Sequence, residues 1–109
     1  MNNAIHRVAH AAVNVNEMVD IAITSWLLKA CRPLADLILR PVGVRVDAEK
    51  YAAYGRVVMG QRRYSHRTLH RVIDGEINGA EFVEIVNDED RIKERFDALM
   101  ATFEEVWDA

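Results

Sequence analysis

Hydrophobic residues recur at spacings of three and four along the first third of the chain, which is the period of one face of an α-helix. The pattern lasts about seven helical turns and consists of Ile5, Val8, Ala9, Ala12, Val15, Met18, Val19, Ala22, Ile23, Trp26, Leu27, Ala30 and Cys31. We expect this stripe to be the core side of a long N-terminal helix. Pro33 should kink or restart that helix, because proline removes a backbone hydrogen bond and crowds the preceding turn.

Residues 41–46 alternate between apolar and other positions as a β-strand does. One strand of this length has no second candidate nearby to pair with, so we expect an extended connector instead. Asp47 is a suitable N-cap for a helix over residues 48–59, because its carboxylate can accept a hydrogen bond from the first backbone N–H groups. Gly60 should end that helix, since glycine has a poor helix propensity.

A short basic helix is predicted next, over residues 66–74, with Ser65 as its N-cap. One side of this helix would be apolar, and the other would carry His66, Arg67, His70 and Arg71. Gly75 should stop the helix, because glycine readily enters the left-handed backbone conformation that commonly follows a helix.

Two acidic helices complete the predicted fold. Asn78 and Glu81 have the spacing of a capping box, at the start of a short helix that runs to Val86. Asn87 or Asp88 then begins the last helix, whose apolar seam consists of Ile92, Phe96, Leu99, Phe103 and Val106. The sequence therefore predicts an all-α fold: one domain over residues 1–109, a compact bundle of about five helices with a long amphipathic acidic C-terminal helix.

Charged residues are sorted along the sequence. The net charge of the 109-residue chain is −3, yet residues 45–71 carry +5 and residues 74–109 carry −9. The two segments meet at Asp74, where a helix should end, so they should be neighbours in space and should neutralise each other in part. Such asymmetry indicates recognition of a charged partner rather than a reaction.

The sequence lacks the usual motifs of an enzyme. It contains no glycine-rich phosphate loop and no nucleophile elbow, and no histidine lies in the acidic C-terminal third. Cys31 is the single cysteine and should be buried on the apolar stripe, which suits a reducing compartment. The most apolar stretch, residues 18–39, is interrupted by charges, so no membrane span is expected. We expect a non-catalytic cytoplasmic protein without a cofactor.

The four histidines form two pairs with the spacing i, i+4: His6 with His10, and His66 with His70. Each pair should share a helix face, and two facing pairs could supply imidazoles to zinc, copper or nickel. An arginine follows the first member of each pair and disfavours a divalent cation, so no metal is assigned. Residues 74–82 resemble the second half of an EF-hand loop, but the first half lacks acidic ligands, so calcium is not assigned either.

Residues 65–75 resemble the recognition helix of repressor-type helix-turn-helix proteins. The resemblance implies a DNA-binding regulator with phosphate contacts from Arg62, Arg63, Arg67 and Arg71, and with base contacts from Ser65, His66 and Thr68. The preceding segment departs from that pattern, because four residues separate Gly60 from Ser65 and make the turn too long. DNA binding is therefore the alternative hypothesis.

The leading hypothesis is a small helical protein that binds a protein partner as a regulator, inhibitor or adaptor, or that mimics nucleic acid through its acidic surface. Its basic contact residues would be Arg56, Arg62, Arg63, Arg67 and Arg71. Its acidic contact residues would be Glu81, Glu84, Glu104, Glu105 and Asp108. The seam from Ile92 to Val106 could also close a homodimer, or it could pack against the N-terminal helix of the same chain.

Overall fold

A computed structural model describes residues 2–105, which form an elongated and mostly helical molecule. Helix α1 (Asn2–Leu39) is 38 residues long and leads through a single 3-10 turn (Arg40–Val42) into strand β1 (Val44–Val46). Helix α2 (Ala48–Ile73) then returns along α1 for 26 residues. The first two helices therefore form an antiparallel hairpin that includes more than half of the chain.

Two shorter helices and a second strand follow: α3 (Gly79–Val86), α4 (Glu89–Ala101) and β2 (Phe103–Glu105). Strand β2 pairs antiparallel with β1. Helix α2 packs against α1, α3 and α4, so it is the central element of the fold. No helix within residues 2–105 combines the length and the apolar character that crossing a membrane requires.

The predicted compact five-helix bundle is wrong. The Cα radius of gyration is 17.9 Å, whereas a compact domain of this length has a radius of about 13 Å. The molecule extends 64 Å along its longest axis and 17 Å along its shortest. Within residues 3–104, Val58 and Ile77 are the only apolar side chains that are buried. A layer this thin encloses little core, because nearly every side chain is close to a surface.

Both long helices continue through residues that were expected to interrupt them. Helix α1 includes Pro33, whose ring is exposed, so water can solvate the carbonyl that loses its hydrogen bond. Helix α2 includes Gly60, which therefore does not end it. Ser65 is not an N-cap, because its Oγ donates to the carbonyl of Gln61 one turn earlier at 3.1 Å. The predicted helix over residues 66–74 is the last part of α2.

Strand β1 forms where an extended connector was predicted, so that prediction is wrong. Its partner lies near the other end of the chain, with Arg45 opposite Glu104 and Val46 opposite Phe103. The Glu104 carboxylate also accepts hydrogen bonds from Arg45 (Nη2–Oε2, 3.2 Å) and from Lys50 (Nζ–Oε1, 3.1 Å). The sheet therefore joins the α1–α2 connection to the segment that follows α4. The Arg45 and Lys50 side chains neutralise the Glu104 charge.

The last helix ends earlier than predicted, which divides the apolar seam. The hydroxyl of the buried Thr102 donates to the Leu99 carbonyl at 2.6 Å and closes the last turn of α4. Phe103 therefore lies in β2 rather than on the helix, and Val106 lies outside the described residues. The seam residues that remain exposed on α4 are Ile92 and Phe96.

The apolar stripe of α1 does not face a core, contrary to the prediction. Val8 and Trp26 are exposed, and Cys31, which was expected to be buried, is exposed as well. The side of α1 that contacts α2 carries His10 and Asp20, which both hydrogen-bond to side chains of α2. Polar contacts have therefore determined how α1 is rotated against its neighbour.

Three of the four predicted helix starts are confirmed, the exception being the one at Ser65. Asp47 caps α2 by accepting a hydrogen bond from the Lys50 backbone N–H at 2.9 Å. Asn78 and Glu81 form both hydrogen bonds of a capping box at the start of α3. The Asp88 carboxylate caps α4. These caps depend only on residues two or three positions apart, which is why the sequence pattern identified them.

Gly75 ends α2 as predicted. It has a φ of 76°, and two backbone hydrogen bonds close the helix around it. The Gly75 N–H donates to the Val72 carbonyl at 3.1 Å, and the Glu76 N–H donates to the Arg71 carbonyl at 3.0 Å. This pair of hydrogen bonds is a Schellman motif, in which a left-handed residue satisfies the last helical carbonyls.

Replacing Gly75 by alanine should lower the free energy of unfolding by about 1 kcal/mol, because a Cβ is strained at this positive φ. Gly60→Ala is the matched control. No atom lies within 4 Å of the Cβ that would be added at Gly60, so this change should raise stability by about 0.5–1 kcal/mol. Urea unfolding followed by circular dichroism measures both, and effects of the same sign would contradict these helix assignments.

Candidate functional site

An open groove of about 900 Å³ lies between α1 and α2. Its apolar lining includes Leu28, Ala52, Gly55 and Met59. Its charged lining consists of Lys29 and Arg32 from α1 and of Arg56 and Arg63 from α2. No aspartate or glutamate of the described residues lines it. We call these four cations, with the apolar residues between them, the basic groove.

Helical periodicity brings the four cations to one place. Arg56 and Arg63 are seven residues apart on α2, which is close to two full turns, so both lie on the same side of the helix. Lys29 and Arg32 are three residues apart on α1 and are neighbours on its surface. All four side chains are exposed. The antiparallel hairpin therefore lines the groove with positive charge from both of its walls.

Close approach of the two helices forms the base of the groove. A Cβ added at Gly55 would lie 3.5 Å from Cδ1 of Leu28, which is ordinary van der Waals contact. The Tyr51 hydroxyl donates to the Leu28 carbonyl at 2.8 Å. Burial raises the pKa of Tyr51 above its ordinary value, so this phenol remains a proton donor at neutral pH. These contacts hold the helices together beneath the basic groove.

The basic groove carries positive charge that the rest of the fold does not neutralise. Within the described part of the chain, none of its four cations has a carboxylate within 4.0 Å. Other cations are paired: Arg71 Nε lies 3.2 Å from Glu76 Oε2, and Arg40 Nη2 lies 2.6 Å from Asp36 Oδ2. An anion in the groove would therefore be attracted by four cations that form no ion pair among the described residues.

A second cleft, of about 640 Å³, continues the basic groove toward the N-terminal end of α1. The two share Ser25, Met59 and Arg63. The continuation has fewer cations, with Met18 and Ile21 in its lining, and it includes one carboxylate, Glu17. One side of the α1–α2 hairpin thus offers a long surface that is basic at one end and mainly apolar at the other.

A polar network joins α1 to α2 next to a third cleft of about 420 Å³. The Asp20 carboxylate accepts hydrogen bonds from Arg62 (Nη2–Oδ1, 2.6 Å; Nε–Oδ2, 2.9 Å) and from His66 (Nε2–Oδ2, 3.1 Å). The Arg62 guanidinium lowers the pKa of Asp20, with a smaller contribution from His66, while burial opposes them. The same carboxylate raises the pKa of Arg62. This network holds the two helices together, and only the buried Nδ1 of His66 is left without a hydrogen-bond partner among the described residues.

One histidine from each predicted pair meets across the helices. The His10 and His70 rings stack with centroids 4.8 Å apart, and their Nδ1 atoms are 2.5 Å apart. His10 Nε2 contacts Asp74 Oδ1 at 2.7 Å, and His70 Nε2 contacts Asn14 Oδ1 at 3.0 Å. One of the two Nδ1 atoms donates a hydrogen bond to the other, so the two histidines form a hydrogen bond between the helices. Within residues 2–105, no three His, Cys, Asp or Glu side chains are arranged to hold a metal ion.

The structure divides the five arginines that were predicted to contact a partner. Arg56 and Arg63 line the basic groove. Arg62 and Arg71 are engaged by Asp20 and Glu76. Arg67 is exposed on α2 outside the groove lining. Lys29 and Arg32 were missed, because in the sequence they only interrupt an apolar stretch, and nothing local shows that α2 places two arginines opposite them.

The residues predicted to approach DNA bases are turned inward. His66 and Thr68 are buried, and the Thr68 hydroxyl donates to the Tyr64 carbonyl at 2.8 Å. Ser65 is half-buried and is bonded to its own helix. These three side chains stabilise the packing of α2, and the arginines of the same segment are left as its only exposed candidates for a nucleic acid.

The described members of the predicted acidic contact set lie in two places, α3 and the sheet region. Glu81 belongs to the α3 capping box, and Glu84 is exposed on the same helix. Glu104 is paired with cations in the sheet region. The side chain of Glu105 and the whole of Asp108 lie outside the described residues. Among the described residues, Glu104 is therefore engaged by cations, whereas Glu84 is exposed on α3.

Asp20→Asn should lower the free energy of unfolding at neutral pH by about 1–2 kcal/mol, because it removes the charge that Arg62 and His66 bind. The pKa of Asp20 is lowered in the fold, so its stabilisation is complete above the ordinary aspartate range, about pH 4, and is lost as pH falls through the folded value. The difference between variant and wild type should therefore shrink in acid.

Asp97→Asn is the control for this measurement, because Asp97 is exposed on α4 and forms no ion pair within the described residues. It should change the free energy of unfolding by less than about 0.5 kcal/mol. Urea titrations at a series of pH values test both variants. A constant difference between Asp20→Asn and wild type down to the acid range would contradict an ionised Asp20 as the source of the stabilisation.

Comparisons with known proteins offer no relative from which a function could be transferred. The chain matches no protein-family model, and searches of curated proteins and of solved structures find no match either. Function must therefore be argued from the residues themselves, and the basic groove is the feature of this chain that most clearly has the composition of a binding site.

Proposed function

We propose that this protein is a non-catalytic binding protein whose basic groove docks an acidic, amphipathic helix of a protein partner. The observation that carries the proposal is the composition of the groove: four exposed cations around an apolar lining, with no carboxylate among its described residues. Such a site binds most favourably a ligand that presents apolar and anionic groups together.

The shape of the groove favours a helix as the ligand. A groove between two helices can accept a third helix, whose apolar side chains at positions i, i+4 and i+7 contact the base while its charged residues face the walls. Leu28 and Met59 would meet the apolar row. Arg56 and Arg63 on one wall can bind carboxylates through two parallel N–H donors each, which gives both affinity and orientation.

Two observations support a protein partner over duplex DNA. His66 and Thr68, which DNA recognition would place against bases, are buried within the fold. The apolar base of the groove would also gain nothing from a phosphate backbone, whose affinity comes from counterion release. The hypothesis that this protein mimics nucleic acid loses support as well. Arg45 and Lys50 form ion pairs with Glu104 and neutralise its charge.

A regulatory or adaptor role and a cytoplasmic location are part of the proposal. The acid–base pairs of the fold, Asp20 with His66 and His10 with Asp74, are engaged in hydrogen bonds between elements, which suits a scaffold rather than a reaction. The exposed thiol of Cys31 suits a reducing compartment. Binding would then regulate the partner by covering its acidic helix, which other molecules cannot contact while it lies in the groove.

Fluorescence anisotropy with the full chain tests the proposal. The probe is a labelled peptide of about five helical turns, with leucine at i, i+4 and i+7 and glutamate on both flanks. We expect micromolar binding that weakens by about tenfold or more in Arg56→Glu/Arg63→Glu, because two attractive contacts become repulsive. Unchanged binding in this double variant would contradict the groove as the docking site.

Arg67→Glu/Lys93→Glu is the charge-matched control. Both side chains are exposed, neither lines the basic groove, and the double change alters the net charge equally. It should weaken peptide binding by less than about threefold, since only long-range attraction is lost. Tighter binding of a mixed-sequence DNA duplex than of the peptide, with Arg67→Glu as damaging as Arg63→Glu, would support the DNA-binding alternative instead.

A further inference from the structure

One face of α1 is apolar from end to end and points away from α2. With about 100° between successive residues, every residue between Ala4 and Leu37 that lies within about 50° of the direction opposite α2 is apolar and exposed. Its large members include Val8 and Trp26, which are 70% and 66% exposed. We call this surface the outer face of α1.

The orientation of the outer face is fixed by contacts on the other side of the helix. His10, Asp20 and the Leu28 carbonyl all hydrogen-bond to α2. These three residues lie on one side of α1, opposite the outer face. Rotating α1 to bury its apolar side would break each of these contacts. Within the described part of the chain, no other element packs over the outer face, since its residues are exposed throughout.

The exposed area of the chain is larger than a folded monomer of its size requires. The accessible surface is 7910 Å² for a mass of 12.4 kDa. A compact monomer of that mass exposes about 6,100 Å². The excess is about 1,800 Å², which is more than the roughly 800 Å² that each partner buries in a standard protein interface. The chain therefore has enough accessible surface to form a stable interface without rearranging its buried residues.

We propose that the outer face of α1 packs against the same face of a second copy of this chain, with the two α1 helices antiparallel. The pattern of side chains favours a helix as the occupant. Spacings of four and three alternate along Val8, Ala12, Val15, Val19, Ala22 and Trp26, which is the heptad seam of helices that pack knobs into holes. The alanines permit close approach of two helix axes, whereas a helix that lies on a membrane presents bulkier residues throughout.

The charges beside the outer face favour the antiparallel orientation. Arg7 and Asp36 lie along the same edge of the face, at its opposite ends. In an antiparallel pair each edge meets its own copy reversed, so Arg7 of one copy approaches Asp36 of the other. Asp36 Oδ2 already accepts Arg40 at 2.6 Å, and Oδ1 has no hydrogen-bond partner among the described residues. A parallel pair would instead place Arg7 near Ala9 of the second copy, and Asp36 near Leu34.

The dimer does not depend on the basic groove. The groove is lined from α1 by Ser25, Leu28, Lys29 and Arg32, so it borders the edge of the outer face that carries Arg7 and Asp36. Its other wall, with Arg56 and Arg63, belongs to α2 and is not part of the outer face. The seam on α4 that the sequence suggested for a homodimer is a different surface, and it is interrupted where the chain leaves α4 for β2. A failure of the peptide-binding experiment would therefore not contradict the dimer, and a failure to dimerise would not contradict peptide binding in the groove.

Light scattering and sedimentation of the full chain at micromolar concentration test the proposal. We expect a mass of twice 12.4 kDa. Val15→Glu and Val8→Glu should each reduce it to one protomer, because a buried, unpaired carboxylate would face the second copy. Val83→Glu is the matched control: Val83 is 53% exposed on α3 and Val15 is 56% exposed on α1, so the same substitution should leave the mass unchanged. Circular dichroism checks that all three variants keep their helices.

Disulfide trapping in a Cys31→Ser background tests the orientation. If Arg7 lies opposite Asp36 of the second copy, the two-fold axis passes between residues 21 and 22. Ala22→Cys should then crosslink to itself efficiently, whereas Val8→Cys should not, because the two copies of residue 8 lie at opposite ends of the interface. Efficient crosslinking of both would overturn the antiparallel arrangement.

Two results would overturn the second copy as the occupant. One is a mass of a single protomer for the wild-type chain at all concentrations up to about 100 μM, since obligate interfaces of this kind are far tighter. The other is a protomer that floats with vesicles of phosphatidylcholine and phosphatidylglycerol and loses this property in Val15→Glu. That outcome would assign the outer face to a membrane surface.

Discussion

The hydrogen-bonded pair between Asp20 and Arg62 is the contact on which the arrangement of this protein depends. Both guanidinium donors reach the carboxylate across the α1–α2 interface, and His66 adds a third hydrogen bond. The geometry is bidentate, so it fixes orientation as well as distance. Because these donors lie on the central helix, Asp20 determines which side of α1 faces inward. The outward direction of the apolar face and the position of the basic groove both follow from that rotation.

Orientation and hydrophobic stabilisation are supplied by different surfaces in this chain. The interface between α1 and α2 is rich in polar contacts, and such contacts contribute specificity more reliably than net stability. The outer face of α1 holds the large apolar side chains, each of which is worth about 1.5–3 kcal/mol when it is fully buried. A fold with so few buried apolar residues gains most by covering that face. Self-association would therefore be part of the stability of the protein.

The net charge of a sequence segment did not predict the charge of the surface that the segment forms in the fold. Some of the charges that the sequence concentrates between residues 45 and 109 meet an opposite charge in the fold: Glu104 meets Arg45 and Lys50, and Arg71 meets Glu76. Positive charge survives where two helices each contribute a pair of cations that no described carboxylate reaches. Half of that set lies on α1, outside the segment that looked basic.

Helix ends are the features of this protein that could be predicted from local sequence. The caps at Asp47 and Asn78 and the stop at Gly75 depend on residues within one turn of each other, so their chemistry is readable from the chain. The period of the α1 stripe was equally clear, but its interpretation as a core was wrong. Periodicity shows that a helix has an apolar side, and it does not show what covers that side.

Tertiary structure decided everything that depends on contacts distant in sequence. β1 required a strand from the far end of the chain, and the groove required α2 to place Arg56 and Arg63 opposite Lys29 and Arg32. The rotation of α1 was set by polar contacts of His10, Asp20 and the Leu28 carbonyl with α2. Such choices depend on small free-energy differences between whole arrangements of helices, and no local pattern contains them.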